Sequence, residues 1–460
     1  MSTPNSIAKT LSNAELNELL ARLKGPNRLV AERYPLEPDR RQPVHTVYGG
    51  AHLFKSDSAP KLGAIALATL EEFGGDAAGF AEALGLGIPR DLAHSIHERV
   101  VAKLRREPVE DFRIDFEDGY GNRSDQEEDG HAAQAAQEAA RGQAAGTLPP
   151  FCGIRIKPLS EELARRSLRT LDIFLTTLVR EGRGQVPPNF VVTLPKITCA
   201  EQVETLGRAL ENLETRLRLA SSTLTMEFMV ETTQSIVGPD GVLNLPRFLD
   251  AARGRCVAAH FGTYDYTASC NITASHQRMR HPACDFAKHM MQVAYSGRGI
   301  WLSDGATTTM PVPVHRQAPG GPPLNAEQEA DNRRSVHEAW RLHVADIHHS
   351  LVNGFYQGWD LHPGQLPTRY AAVYAFFQQG LAAASLRLKT FVSRAAQATL
   401  VGDVFDDAAT GQGLLNFFLR GINCGAFGED EALATGLTAP ELRSRSFYQI
   451  LVNRRAQAGG

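Results

Sequence analysis

The stretch DFRIDFEDG at 111–119 runs an apolar-rich segment straight into three acids, Asp115, Glu117 and Asp118. The same build recurs along the chain. HTVYGGAHLF (45–54) precedes it, and FCGIRIKP (151–158), NFVVTLPKI (189–197), TMEFMVET (225–232), CVAAHFGTYDY (256–266), GIWLSDG (299–305) and FYQGWDLHPGQ (355–365) follow. Each is a short Val-, Ile- or Phe-containing run that ends in polar or charged residues. Helix-like stretches such as AEQVETLGRALENLETRLRLA (200–220) and CDFAKHMMQVAYSG (284–297) lie between them. Near-continuous apolar strands alternating with helices predict a parallel sheet covered by helices. Eight such units predict an α/β fold closed into a (β/α)8 TIM barrel. An open doubly wound sheet is the architectural alternative.

The rhythm divides the chain into a helical segment at 1–44, a barrel catalytic domain at 45–377 and a helical extension at 378–460. Within the first segment, residues 10–24 predict a short amphipathic helix. Asn13 would cap it, Glu15 falls in its first turn, and Leu16, Leu19, Leu20 and Leu23 form its apolar stripe. Residues 120–150 are polar and then Ala/Gln-rich, and predict an exposed loop and helix inserted between strands. Residues 311–331 are Pro/Gly-rich and predict a mobile surface loop. After Phe377 the pattern is helical to about Arg455, with no further strand expected. Arg387, Lys389 and Arg394 alternate there with apolar residues, as on an amphipathic helix.

The chain has 460 residues, 43% hydrophobic and 22% charged, with a net charge of −3. That composition is globular and lacks the basic surplus of a nucleic-acid binder. The length suits one barrel of roughly 250 residues with additions. None of the six cysteines forms a C-x-x-C pair, and their irregular spacing predicts reduced thiols. The opening MSTPNSIAKTLSNAELNELLARL has no apolar core or cleavage pattern, so no signal peptide is expected. No stretch approaches the ~20 apolar residues that span a bilayer. The expectation is a cytoplasmic protein with neither nucleic-acid nor membrane partners.

Barrel active sites lie at the C-terminal ends of strands, and here those ends are rich in charge. Asp115, Glu117 and Asp118 end one strand, and Arg155 and Lys157 the next. Lys196 follows VVTLP, Glu231 ends MEFMVE, Asp265 follows Gly262, Asp304 ends GIWLSD, and His362 and Gln365 end the last run. Closure would gather them at one rim, where the acids repel unless cations sit among them. Arg155, Lys157 and Lys196 offset part of the charge. The remainder suits a hard divalent cation with oxygen ligands, Mg2+ or Mn2+. Such a metal polarises a 2-keto acid carbonyl as a Lewis acid, with Arg155 gripping the carboxylate.

The ordered motifs DFEDG (115–119), GIRIKP (153–158), TLPKI (193–197), FMVET (228–232), FGTYDYTA (261–268), GIWLSDG (299–305) and GFYQGWDLHPGQ (354–365) carry a resemblance. The chain resembles the superfamily of citrate lyase β subunits, HpcH/HpaI class II aldolases, malyl-CoA lyases and malate synthases, over roughly residues 45–377. The resemblance implies Glu231 and Asp265 as metal ligands and Arg155 as clamp on the substrate carboxylate. Glu117 and Asp118 would be acids beside the metal, and Lys196 would moderate their charge and help bind substrate. Lys157 stands where the family carries asparagine, and Trp359 where it carries a basic residue. The implied activity is a Mg-dependent carbon–carbon lyase acting on a hydroxy acid or hydroxyacyl thioester, with coenzyme A use left open. A malate-synthase-like acyl transferase and a non-catalytic, regulatory metal-binding barrel are the alternatives. The relatives' habit implies a homo-oligomer. No residue is assigned as the catalytic base.

Overall fold

The run Phe190–Leu194 (FVVTL) is β-branched and largely apolar on both faces, as a strand needs when helices cover one side and a barrel interior the other. The computed structural model describes residues 9–35, 40–393, 399–401, 404–406 and 408–458. Eight parallel strands close in chain order: β1 (His45–Gly50), β2 (Asp111–Asp115), β3 (Phe151–Arg155), β4 (Phe190–Leu194), β5 (Thr225–Val230), β6 (Cys256–Phe261), β7 (Trp301–Ala306) and β8 (Gln357–Asp360). β1 pairs with β2 through Val47 and Phe112, and with β8 through His45 and Gly358. No barrel edge is left unpaired, and the predicted (β/α)8 barrel is the observed fold.

The Ala/Gln-rich segment expected as an exposed insertion is a regular barrel helix, Asp125–Ala145. Ala132, Ala135, Ala136 and Ala139 are wholly buried, and it packs on the helix Ala164–Glu181. Alanine's small side chain disguised an inward face as polar sequence, while allowing close helix approach. The Pro/Gly-rich segment has no regular structure from 307 to 325, but the next helix already begins at Ala326.

Two further expectations are corrected at the termini. The first helix runs Asn13–Arg33, well past residue 24. Its cap is Ser12, whose Oγ accepts from the Glu15 N–H at 3.2 Å while the Glu15 carboxylate accepts from the Ser12 N–H at 2.8 Å. This reciprocal box fixes the start one residue earlier than Asn13 would. Its stripe of Leu16, Leu19, Leu20 and Leu23 is exposed. At the other end, the helix Leu366–Ser393 passes through Phe377 without a break, and the extension does contain strands. β9 (Thr399–Val401) and β10 (Val404–Asp406) pair antiparallel, in sequence rich in β-branched residues. Arg394 lies outside the described residues, as do residues 1–8 of the N-terminal stretch. Phe377, Phe417 and Phe427 join the extension to the barrel's last helix, with ring centroids 5.4 Å apart for Phe377 and Phe417. All six cysteines are free, and no helix among the described residues is long and apolar enough to cross a membrane.

The chain entering β1 is locked by charge. Arg41 and Lys103 each reach Glu110 at 2.6 Å, both also pair with Glu107, and Glu110 accepts from the Val44 N–H at 2.7 Å. Burial raises the pKa of the Glu107 carboxyl, but the bonds from Arg41 and Lys103 outweigh it and bring it to about 2 from 4.5. A carboxyl held lower in the folded than in the unfolded chain contributes stability above the unfolded value and loses it as pH falls through the folded one. The unfolding temperature of Glu107→Gln should therefore lie furthest below that of the unaltered protein above pH about 4.5, and the gap should close toward pH about 2. A gap that stays constant across that range in thermal melts would rule out the ion-pair account.

Candidate active site

Every strand of a parallel barrel ends on the same rim, so residues far apart in sequence meet there. Asp115 closes β2 and is buried. Its carboxylate accepts from the N–H groups of Glu117 (2.9 Å) and Gly119 (2.7 Å), which folds the DFEDG turn back over the strand end. The same carboxylate receives Arg155, the last residue of β3, in a two-point grip: Nε to Oδ1 at 2.7 Å and Nη2 to Oδ2 at 2.5 Å. The guanidinium's remaining nitrogen, Nη1, faces Glu117 at 3.2 Å and Asp118 at 3.4 Å. The Tyr48 ring of β1 lies 5.0 Å from the guanidinium carbon. Arg155 is thus buried, oriented and presented to the mouth along one edge.

Lys196 follows β4 and Pro195. Its backbone is left-handed, with φ of 49°, which costs a non-glycine residue roughly 1–2 kcal/mol. That conformation lets one residue serve two sides of the site. Its N–H donates to Glu231 Oε1 at 2.8 Å, and its Nζ bonds Glu117 and lies 3.3 Å from Asp118 and 3.2 Å from Asp265. The acids hold this ammonium more basic than usual despite its burial.

Glu231 directly follows β5 and is only 1% exposed. Burial foremost, with Asp265 and Glu117 adding to it against Lys196 and Arg155, pushes its carboxyl up to about 8. Asp265 stands in the first turn of the helix Thr263–Ser269, after β6, with its side chain 41% exposed. Gly262 makes the approach possible: a Cβ there would fall 2.5 Å from both Cβ and Oε2 of Glu231. Glu117 is largely buried and pushed up to about 7, first by burial and then by Asp118, while Arg155 and Lys196 pull it down. Asp118 is lowered: burial alone would raise it, but Glu117, Arg155 and Lys196 prevail.

All six residues proposed from the sequence (Glu117, Asp118, Arg155, Lys196, Glu231 and Asp265) therefore converge on one mouth. Their donor chemistry fits a hard dication: carboxylate oxygens, one of them buried and reluctant to ionise without added positive charge. Among the described residues, no three Asp, Glu, His or Cys side chains form a closed metal cage. A pair of carboxylates, Glu231 and Asp265, matches the habit of Mg2+, which uses one or two protein carboxylates and fills the rest with water and substrate oxygens.

Other charged strand ends serve elsewhere. Asp304 is buried and accepts from Lys288 (2.9 Å) and Ser350 (2.7 Å). Lys157 turns outward to Glu128 at 2.9 Å and the Phe116 carbonyl at 2.6 Å. His362 accepts from the Gly364 N–H, and Arg280 pairs with Asp346. Sequence reading gave no role to Tyr48 or Trp359, which flank the site from inside the barrel with ring centroids 4.5 Å apart. The only sequence signal for them was an aromatic residue at the inward register of β1 and β8.

These features define a TIM-barrel protein with a carboxylate-rich mouth organised by one lysine and one arginine. The chain belongs to the family described as domain of unknown function DUF6986, whose model matches residues 23–450. No curated protein matches it. Among solved structures it is similar to one described as a citrate lyase from Burkholderia xenovorans LB400, with 18% identity, 87% of this chain and 98% of that chain covered, and a TM-score of 0.55. It also aligns with Haloferax volcanii malate synthase in a magnesium/glyoxylate complex, at 14% identity over 73% of this chain and 76% of that chain, with a TM-score of 0.46. At such identities the shared property is the barrel fold.

The Gly262 contact is directly testable. Gly262→Ala should force Glu231 away from its seat and destabilise the protein by about 1–3 kcal/mol, as overpacking does. Denaturant unfolding of the variant reads this; an unchanged midpoint would mean that Glu231 can yield without cost.

Proposed function

We propose that this protein is a metal-dependent carbon–carbon lyase of the aldolase and citrate lyase type, acting on a hydroxy acid or hydroxyacyl thioester that yields a 2-keto acid. The observation that carries the reading is the placement of buried Glu231 beside Asp265 and Lys196, across the mouth from the oriented Arg155. Glu231 and Asp265 would hold Mg2+ or Mn2+. Bound there, the metal supplies Lewis acidity toward a carbonyl oxygen.

The protein's own groups divide the remaining work. Arg155 presents Nη1 to the mouth while Asp115 fixes its plane, an arrangement suited to orienting a substrate carboxylate. Lys196 holds the acids together and adds positive charge where negative charge develops during bond cleavage. Glu117 is placed to keep or release a proton at Oε near neutral pH. Tyr48 and Trp359 wall the site from below and exclude water.

The test uses the full chain with Mn2+. Glu231→Gln and Asp265→Asn should each weaken Mn2+ binding by about tenfold or more in calorimetry, since each removes a charged ligand. Candidate hydroxy acids and hydroxyacyl thioesters are then supplied, with released keto acid trapped as a hydrazone. Keto-acid release that needs Mn2+ and is lost in both variants supports the lyase. Thiol release from acetyl-CoA plus glyoxylate, without keto-acid release, would replace it with acyl transfer. Metal binding untouched by both substitutions would overturn the ligand assignment.

A further inference from the structure

No residue of the helix Asn13–Arg33 is buried, although its sequence builds one apolar face. Leu16, Leu23 and Val30 recur at a heptad interval, with Leu19 and Leu20 between the first two. Each of the five is between 44% and 57% exposed. Apolar residues at this spacing form a seam for a second helix. Left alone in water, this helix would be unstable. Gly25 and Pro26 stand in its middle, and in a helix interior glycine costs about 1 kcal/mol and proline about 3 kcal/mol relative to alanine. Pro26 also lacks the N–H that would bond the Arg22 carbonyl, which divides the helix into stretches too short to persist by themselves. Packing of the apolar face is what can hold such a helix together.

Charge along the helix is divided by end. Residues 13–21 carry Glu15 and Glu18 and no base. Residues 22–33 carry Arg22, Lys24, Arg28 and Arg33 against one acid, Glu32. Glu15 and Arg33 stand about five whole turns apart, so they lie on the same edge of the leucine face. The helix is anchored where it ends. Tyr34 lies beside Gly297, and the Arg298 guanidinium carbon is 5.8 Å from its ring centroid. Both residues precede β7, at the barrel end opposite the mouth.

We propose that this face pairs with the same helix of a second copy of this chain, the two running antiparallel. Opposite directions set each acidic end beside the other copy's basic end, with Glu15 of one copy toward Arg33 of the other. A parallel pair would bring like charges together. A lipid surface is the poorer fit, because helices that lie on membranes carry a basic polar face and this one is acidic over its first half. The seam is about 30 Å long, a small interface, so the pairing is reversible. It does not depend on the proposed lyase reaction.

Sedimentation equilibrium of the full chain tests it. A monomer–dimer equilibrium is expected between about 1 and 100 μM protein, where small interfaces associate. Leu16→Glu/Leu23→Glu should weaken the dimer about tenfold or more, since it removes apolar area from the seam. No residue of the helix is buried, so the barrel should fold as before, which near-UV circular dichroism checks. Arg33→Lys supplies an amine for zero-length carbodiimide coupling to Glu15. Within one helix these positions stand about 27 Å apart, so a link between them joins two copies and reports the antiparallel direction. Vesicles of phosphatidylcholine and phosphatidylglycerol test the lipid surface. A chain that stays monomeric throughout, whether or not it binds the vesicles, would overturn the proposal. So would a dimer that survives the leucine substitutions unchanged, or one that yields no link between positions 15 and 33.

Discussion

A closed barrel of parallel strands turns alternate side chains into an interior too narrow for bulk water, so every charge that points inward must be matched there. This constraint governs the molecule. Arg113, at the centre of β2, bonds both oxygens of Glu227 at 2.7 Å and also Asp111, with Thr193 at 3.2 Å. An unmatched ion at this depth would cost several kcal/mol, roughly the size of the loss on breaking a buried pair. Burial raises the Asp111 carboxyl, so Arg113 stands between one readily ionised acid and one reluctant to ionise. One layer higher, Asp115 and Arg155 form the next pair, and above them lie Glu117, Asp118, Glu231 and Asp265 around Lys196. At the mouth four acids share one lysine and one edge of Arg155, and Lys196 is stationed at the centre of that excess.

Much of this was legible in the chain, because period and order carry it. Apolar runs ending in charge predicted the strands, and barrel topology then made their ends neighbours, which brought Glu231 and Asp265 together without any local signal linking them. What escaped the sequence depended on geometry rather than residue type. The alanines of Asp125–Ala145 look like a linker until a partner helix is present to receive them. Asp115 and Glu117 alternate in the sequence as on one strand face, yet β2 ends at Asp115: Asp115 grips Arg155, while Glu117 lies in the turn that Asp115 folds back and reaches Lys196. The left-handed Lys196 is not written in TLPKI, since the contacts that hold it come from β2, β5 and β6. The leucines of the first helix predicted its amphipathic face correctly but not that the face would stay exposed.

The two ends of the barrel are connected by the interior that separates them. Arg420 of the helix Ala408–Asn423 donates to Gln42, Gln42 to Gln357, Gln357 to Thr46 and Thr46 to Asp111. Asp111 pairs with Arg113, Arg113 with Glu227, and Glu227 lies 3.2 Å from His260 Nε2. The Trp359 indole N–H donates to His260 Nδ1, which places the ring's proton on Nε2 toward Glu227. Tyr48 closes the sequence between His260 and Arg155. An apolar core would have insulated one face from the other. Here, polar contacts a few ångströms apart run from Gln42 at the floor to the acid-rich mouth. The guanidinium of Arg155 is gripped from the side by Asp115 and has the Tyr48 ring 5.0 Å away.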